Sequence, residues 1–166
     1  MCEKDASAFE ADAFLQMPKV GDSMYSLKTS ASFDSAHFLK DYNGKCANIH
    51  GHRWTVEAVI AKKELQQNGE KCGMIIDFSD FKTALRMLAD SFDHTLIFET
   101  NSLKENTLTA LREEGFRLTE VPFRPTAENL ARYFFEKLKF ADLPVYSVTV
   151  YETPNNSACY TEDEDA

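Results

Sequence analysis

Between Tyr25 and Ile60 the chain alternates between two kinds of surface. Tyr25, Leu27, Thr29, Ala31, Phe33, Ser35 and His37 share one side of an extended run, and Ser26, Lys28, Ser30, Ser32 and Asp34 share the other. After a polar loop from Lys40 to Ile49 the period of two resumes, with His50, His52, Trp54, Val56, Ala58 and Ile60 opposite Arg53, Thr55 and Glu57. The pattern predicts two long strands that pair as an antiparallel hairpin. From there the period changes. Lys62 to Cys72 is polar and turn-like, and Met74, Ile75 and Ile76 lead to Asp77, which with Asp80 caps a helix carrying Phe78, Phe81, Leu85, Leu88 and Phe92 at helical spacing. Phe92 to Phe98 reads as a helix-to-strand junction and a short apolar strand. Ser102 to Glu114 reads as helical with Gly115 as its stop, and Phe116 to Val121 as a short strand candidate. Pro125 and Thr126 open a second long helix with Leu130, Ala131, Phe134 and Leu138 on one side. Ser147 to Glu152 is the next strand, and Ala158 to Thr161 finishes the sheet. Two long strands, two helices and two further strands predict an α+β arrangement, a four-stranded antiparallel sheet with both helices packed on one face. The open edges of such a sheet invite pairing between subunits.

At 166 residues there is room for one domain with a substantial core. Residues 1–22 read as an N-terminal extension whose Phe9, Phe14, Leu15 and Met17 could pack on a surface. Residues 23–161 read as the single domain and 162–166 as a solvated acidic tail. The net charge of −9 argues against nucleic acid as a partner. No apolar stretch approaches a membrane span and the start does not resemble a signal peptide, so a soluble, cytoplasmic protein is expected. Cys2, Cys46, Cys72 and Cys159 show no paired metal spacing and read as reduced thiols.

Three of the four histidines fall on the apolar side of the hairpin, at the end of one strand and the start of the next. His37, His50 and His52 can therefore converge, with Gly51 leaving room between the latter two, and three imidazoles with an open fourth position match catalytic zinc. Singly, each reads equally as a satisfied polar residue at a strand end. Cys46 is open to three readings: a catalytic thiol whose pKa the neighbouring ion lowers, a fourth ligand that closes the site, or a loop cysteine without a role. Asp93 and His94 could form an ordinary junction or a proton-transfer pair, with the carboxylate holding the imidazole's tautomer. Glu152 continues the stripe of Val148 and Val150, which is costly for an acid unless it binds something or escapes at the strand end. Thr126, Glu128 and Asn129 read as helix-capping residues.

The order S-A-H-F, C-x-x-x-H-G-H, D-F at 77–78, D-H at 93–94, P-T-A-E-N at 125–129 and Y-E-T-P at 151–154 resembles the 6-pyruvoyltetrahydropterin synthase family over about residues 25–161. Within the family it looks most like the 6-carboxytetrahydropterin synthases of the queuosine (7-deazapurine) pathway. The resemblance implies the tunnelling fold and a homohexamer of two stacked trimers with sites between protomers. It implies a Cys46, Asp93 and His94 triad assembled across a subunit interface, pterin anchored by Glu152 with Thr126 lining its pocket, and Zn2+ on the three histidines. The implied reaction turns 7,8-dihydroneopterin triphosphate into 6-carboxytetrahydropterin, releasing acetaldehyde and triphosphate. Three residues separate Cys46 from His50, as in the carboxy branch. The alternatives are the pyruvoyl reaction, which stops at triphosphate elimination, a simple zinc hydrolase using metal-bound water, and a zinc-binding module without turnover in which Cys46 is the fourth ligand.

Overall fold

The computed structural model describes residues 23–162. The expectations about residues 1–22, Cys2 among them, and about the tail after Glu162 fall outside the described residues. Glu162 itself pairs with Lys139.

The hairpin forms as its alternation requires. Strand β1, Tyr25–His37, pairs antiparallel with β2, His50–Lys62, in a register that sets Phe33 opposite Trp54, Ser35 opposite His52 and His37 opposite His50. A slip of one residue would turn every apolar side chain of this face outward, so the burial of Phe33, Trp54, Val56, Ala58 and Ile60 fixes the register. The far end overshoots the core, and Tyr25 is exposed despite its parity.

Helix α1, Phe78–Asp90, starts where Asp77 accepts a hydrogen bond from the Ser79 backbone N–H at 2.7 Å. Its inner face is Phe81, Leu85 and Ala89, continued by Phe92. Phe78 is a correction: as the first helical residue it lies at the rim of the core, 49% exposed. The short strand β3, Leu96–Glu99, precedes helix α2, Glu105–Glu113, and strand β4, Leu118–Val121. Helix α3, Ala127–Phe140, is capped by Thr126 and buries Leu130, Ala131, Phe134, Phe135 and Leu138. Strands β5, Val145–Thr153, and β6, Asn156–Thr161, close the described chain.

Among the described residues the sheet has six strands in the order β4-β3-β1-β2-β5-β6, not four. It is mixed rather than antiparallel, because β3 runs parallel to β1 and β4 parallel to β3. The β3-α2-β4 stretch is thus a crossover unit whose helix covers a small second core of Phe38, Phe98 and Leu108. Helices number three in the described residues, and α1 and α3 cover the main face. There Phe33 stacks on Phe134 with centroids 6.0 Å apart and packs against Phe92 at 5.6 Å, tying hairpin to helices. Trp54, fully buried, joins this cluster at one end and meets the histidines at the other, so core and site share a wall. No helix among the described residues is long and apolar enough to cross a membrane.

Candidate active site

The site begins where the hairpin opens. His37 ends β1 and His50 starts β2, directly opposite, while His52 follows on the same face across from Ser35. The ring centroids of His37 lie 4.5 Å from His50 and 5.2 Å from His52, and Trp54 stands edge-on beneath at 4.9 Å from His37 and 5.4 Å from His52.

Hydrogen bonds settle which nitrogens face inward. His37 Nδ1 lies 2.8 Å from the Pro125 carbonyl and His50 Nδ1 lies 2.8 Å from the Asn48 carbonyl. A carbonyl only accepts, so each Nδ1 carries the proton and each Nε2 presents a lone pair. Such backbone anchoring is how ligating histidines are oriented. Pro125 immediately precedes the cap of α3, so the helix start positions His37. The Nε2 atoms of His37 and His52 are buried without a hydrogen-bond partner. Burial, above all, pushes both imidazoles below their ordinary pKa, which keeps them neutral and able to donate to a cation.

Glu152 Oε1 faces these lone pairs, 3.4 Å from His37 Nε2 and 3.6 Å from His52 Nε2. Four lone-pair donors, from His37, His50, His52 and Glu152, lie within 4.8 Å of one another and could hold a metal ion. The donor set fits one, since the orphaned nitrogens and the carboxylate repel unless a positive charge stands between them. Cys46 is not among the four.

Cys46 is presented by a turn of 3-10 helix, Lys45–Ala47, whose approach is set by Gly44. A Cβ at Gly44 would stand 2.6 Å from Tyr42 Cε1. The Cys46 carbonyl accepts the Leu39 N–H at 2.8 Å, holding the loop against the end of β1. Cys46 lines a cavity of about 310 Å³ with His37, Tyr42, Thr126, Glu128 and Glu152. Thiol, metal group and helix cap therefore open on one space. Gly51 is less constrained than expected, because a Cβ there meets only Ser35 O, at an ordinary 3.5 Å.

Asp93 and His94 are bonded to each other, Asp93 Oδ2 to His94 Nδ1 at 2.7 Å. Asp93 Oδ1 accepts from the Asp34 N–H at 2.8 Å, and the His94 N–H donates to the Asp34 carbonyl at 2.7 Å. The Asp34 N–H first, and His94 second, hold the Asp93 carboxyl below its usual pKa. His94 has a φ of 53°, in the left-handed region that non-glycine residues seldom occupy, and these bonds hold it there. Its ring is exposed, and neither residue lines the Cys46 cavity within one chain.

Two carboxylates border this space. Glu152, which the resemblance places at the pterin, stands beside the histidines. Glu128, expected as a helix-start residue, borders the cavity as an exposed side chain, with no hydrogen-bond or ion-pair partner among the described residues. Only its position in the P-T-A-E-N turn could have signalled it, and an acid in the first turn of a helix is accounted for by the helix dipole alone.

A thiol and a metal-ligating group facing one cavity in an α+β fold define a small-molecule enzyme. A family model described as 6-pyruvoyl tetrahydropterin synthase matches residues 26–163, and the chain belongs to that family. A relative from Haemophilus influenzae, named 6-carboxy-5,6,7,8-tetrahydropterin synthase, is 37% identical over 142 residues, covering 84% of this chain and 100% of the relative. One of the same name from Aquifex aeolicus is 30% identical, covering 77% and 83% respectively. The solved 6-pyruvoyl tetrahydropterin synthase of Caenorhabditis elegans superposes with a TM-score of 0.61 at 25% identity, covering 85% of this chain and 97% of that one.

Proposed function

We propose that the protein converts 7,8-dihydroneopterin triphosphate into 6-carboxy-5,6,7,8-tetrahydropterin, releasing acetaldehyde and triphosphate, as a zinc-dependent cytoplasmic lyase of the queuosine (7-deazapurine) pathway. The observation that carries this reading is the Cys46 thiol on the same cavity as His37 and Glu152, two members of the converging group of His37, His50, His52 and Glu152. The relatives' shared name supplies the product. Cys46 stands outside the converging ligands, which favours a reactive thiol over a closed structural site.

In this reading His37, His50 and His52 hold Zn2+, which when bound supplies Lewis acidity toward the oxygens of the substrate side chain. Cys46 moves protons at side-chain carbon, and Asp93 holds the tautomer in which His94 Nε2 faces outward to exchange them. Glu152, at the end of β5, receives the amino and ring N–H edge of the pterin, with Thr126 at the start of α3 lining the pocket. A carboxylate is suited to two parallel hydrogen bonds from that edge. Because Asp93 and His94 lie away from the Cys46 cavity of their own chain, the relay is completed by a second copy. A homohexamer with shared sites is the assembly proposed.

Incubation with 7,8-dihydroneopterin triphosphate tests the reading. Acetaldehyde and triphosphate should appear together, and Cys46→Ala should abolish turnover while zinc content stays at wild-type level. Triphosphate without acetaldehyde would assign the pyruvoyl reaction instead. Retained activity in Cys46→Ala would remove the thiol from the chemistry.

A further inference from the structure

We infer that Arg124 is a positioning residue, whose guanidinium fixes the loop bearing Cys46 at its working place across the cavity from the start of α3. This deepens the reading above and rests on the role given there to Cys46.

Little but hydrogen bonding holds loop 39–49. Of residues 40–49 only Cys46 is half-buried before the strand begins and the others are exposed, so apolar burial contributes little to the loop's position. Its turns close on themselves, the Tyr42 N–H donating to the Leu39 carbonyl at 3.3 Å and the Ala47 N–H to the Gly44 carbonyl at 3.1 Å. Among the described residues two hydrogen bonds tie it to elements outside the hairpin, and both are at Lys40. Lys40 Nζ donates to the Asn101 carbonyl at 2.9 Å, and Arg124 Nη2 donates to the Lys40 carbonyl at 2.6 Å. The first bond depends on a long, exposed, flexible side chain. The second ends on backbone and comes from a charged donor set in a planar fork, which loses less freedom on bonding.

Arg124 is itself anchored. Its carbonyl accepts the Thr126 N–H at 2.8 Å and Asn129 Nδ2 at 3.0 Å, which locks its backbone to the first turn of α3. The next carbonyl, that of Pro125, is the one that accepts from His37 Nδ1. One turn of chain thus orients a member of the candidate metal group and, through the guanidinium, holds the base of the thiol loop. The Leu39 N–H, beside Lys40, donates to the Cys46 carbonyl at 2.8 Å, so whatever fixes residue 40 is passed to the thiol. Leu39, Tyr42 and Cys46 form one part of the 310 Å³ cavity wall, and Thr126 and Ala127 form another. Arg124 bridges the two. Proton transfer at a substrate carbon tolerates little error in the placement of the group that performs it, since about 1 Å of misplacement can cost about 100-fold.

The experiment uses the full-length, zinc-loaded chain and two variants, each first shown to melt cooperatively. Arg124→Met keeps the stem and removes the donors, and Arg124→Lys keeps the charge but not the fork. Amide hydrogen exchange reads the loop through the Leu39 and Tyr42 N–H groups. The expected result is exchange there at least about tenfold faster in Arg124→Met, an intermediate rate in Arg124→Lys, and no change at Val56 in β2 or Leu130 in α3. With 7,8-dihydroneopterin triphosphate, Arg124→Met should lose at least about tenfold in kcat with KM within about twofold of wild type, because a thiol acting at the reacting carbon contributes to the transition state rather than to binding. Wild-type loop exchange in Arg124→Met would overturn the proposal, and so would a raised KM at wild-type kcat, which would make Arg124 a substrate-binding cation. Should Arg124→Met fail to fold, Arg124→Lys decides, with wild-type exchange there overturning the proposal and faster exchange supporting it. Absence of turnover in wild type would instead overturn the reaction proposed above, and the exchange comparison would still decide the place of Arg124.

Discussion

At the scale of single residues, the site runs on lone pairs. His37 and His52 are kept neutral by burial, and this has a pH signature. Below about pH 6.5 the unfolded chain takes up protons that the folded, ion-free chain resists. Folding stability of chelator-treated protein should therefore fall as pH drops from about 6.5 toward 5, and level off above it. Asp77 and Asp93 carry depressed pKa values, so their contribution survives that window and is lost only at lower pH, below about 4. Thermal melts across pH 5 to 8 check the expectation, and a flat profile would contradict it. The three histidines were legible because strand parity alone places them on one face. Glu152's contact was not, because parity gives the side of the sheet but not how far a side chain at an irregular strand end reaches. Glu128 was hidden by a sufficient local reason for an acid at its position.

At the scale of elements, stability lies where α3 meets the hairpin. Phe134→Ala removes a fully buried ring that stacks on Phe33 and should cost about 3–5 kcal/mol in denaturant unfolding. Phe140→Ala, on the same helix but 89% exposed, should change stability by less than about 0.5 kcal/mol. The long strands and the two long helices could be read directly, since each repeats its period over enough residues to be distinctive. Strands β3 and β4 are four residues each, too short for alternation to declare a partner. Their parallel pairing depends on a crossover through α2, a non-local arrangement that no local pattern encodes.

At the scale of the whole molecule, a single chain keeps the members of the proposed proton relay apart. Cys46 lines one cavity, while the Asp93–His94 pair sits exposed by the β1–β3 join. Among the described residues the outer strands β4 and β6 have open edges, through which copies can pair. Sedimentation should therefore show a multimer rather than a monomer. Co-expression of Cys46→Ala with His94→Ala, each inactive alone, should restore activity in about a quarter of the sites, because random assembly pairs intact halves that often. No recovery in the mixture would place the relay within one chain. Edge pairing was legible from the open edges of the expected sheet, whereas a shared site was not, and only the family resemblance suggested it.

One piece of backbone couples these parts. Asp34 grips Asp93 and His94 through its own N–H and C=O, and three residues later the same strand delivers His37 to the candidate metal group. A shear of that strand cannot shift the Asp93–His94 pair and spare the candidate metal group; both drift together. An insertion in the first strand should therefore disturb the two at one stroke, whereas changes in the loop bearing the thiol can be made one property at a time.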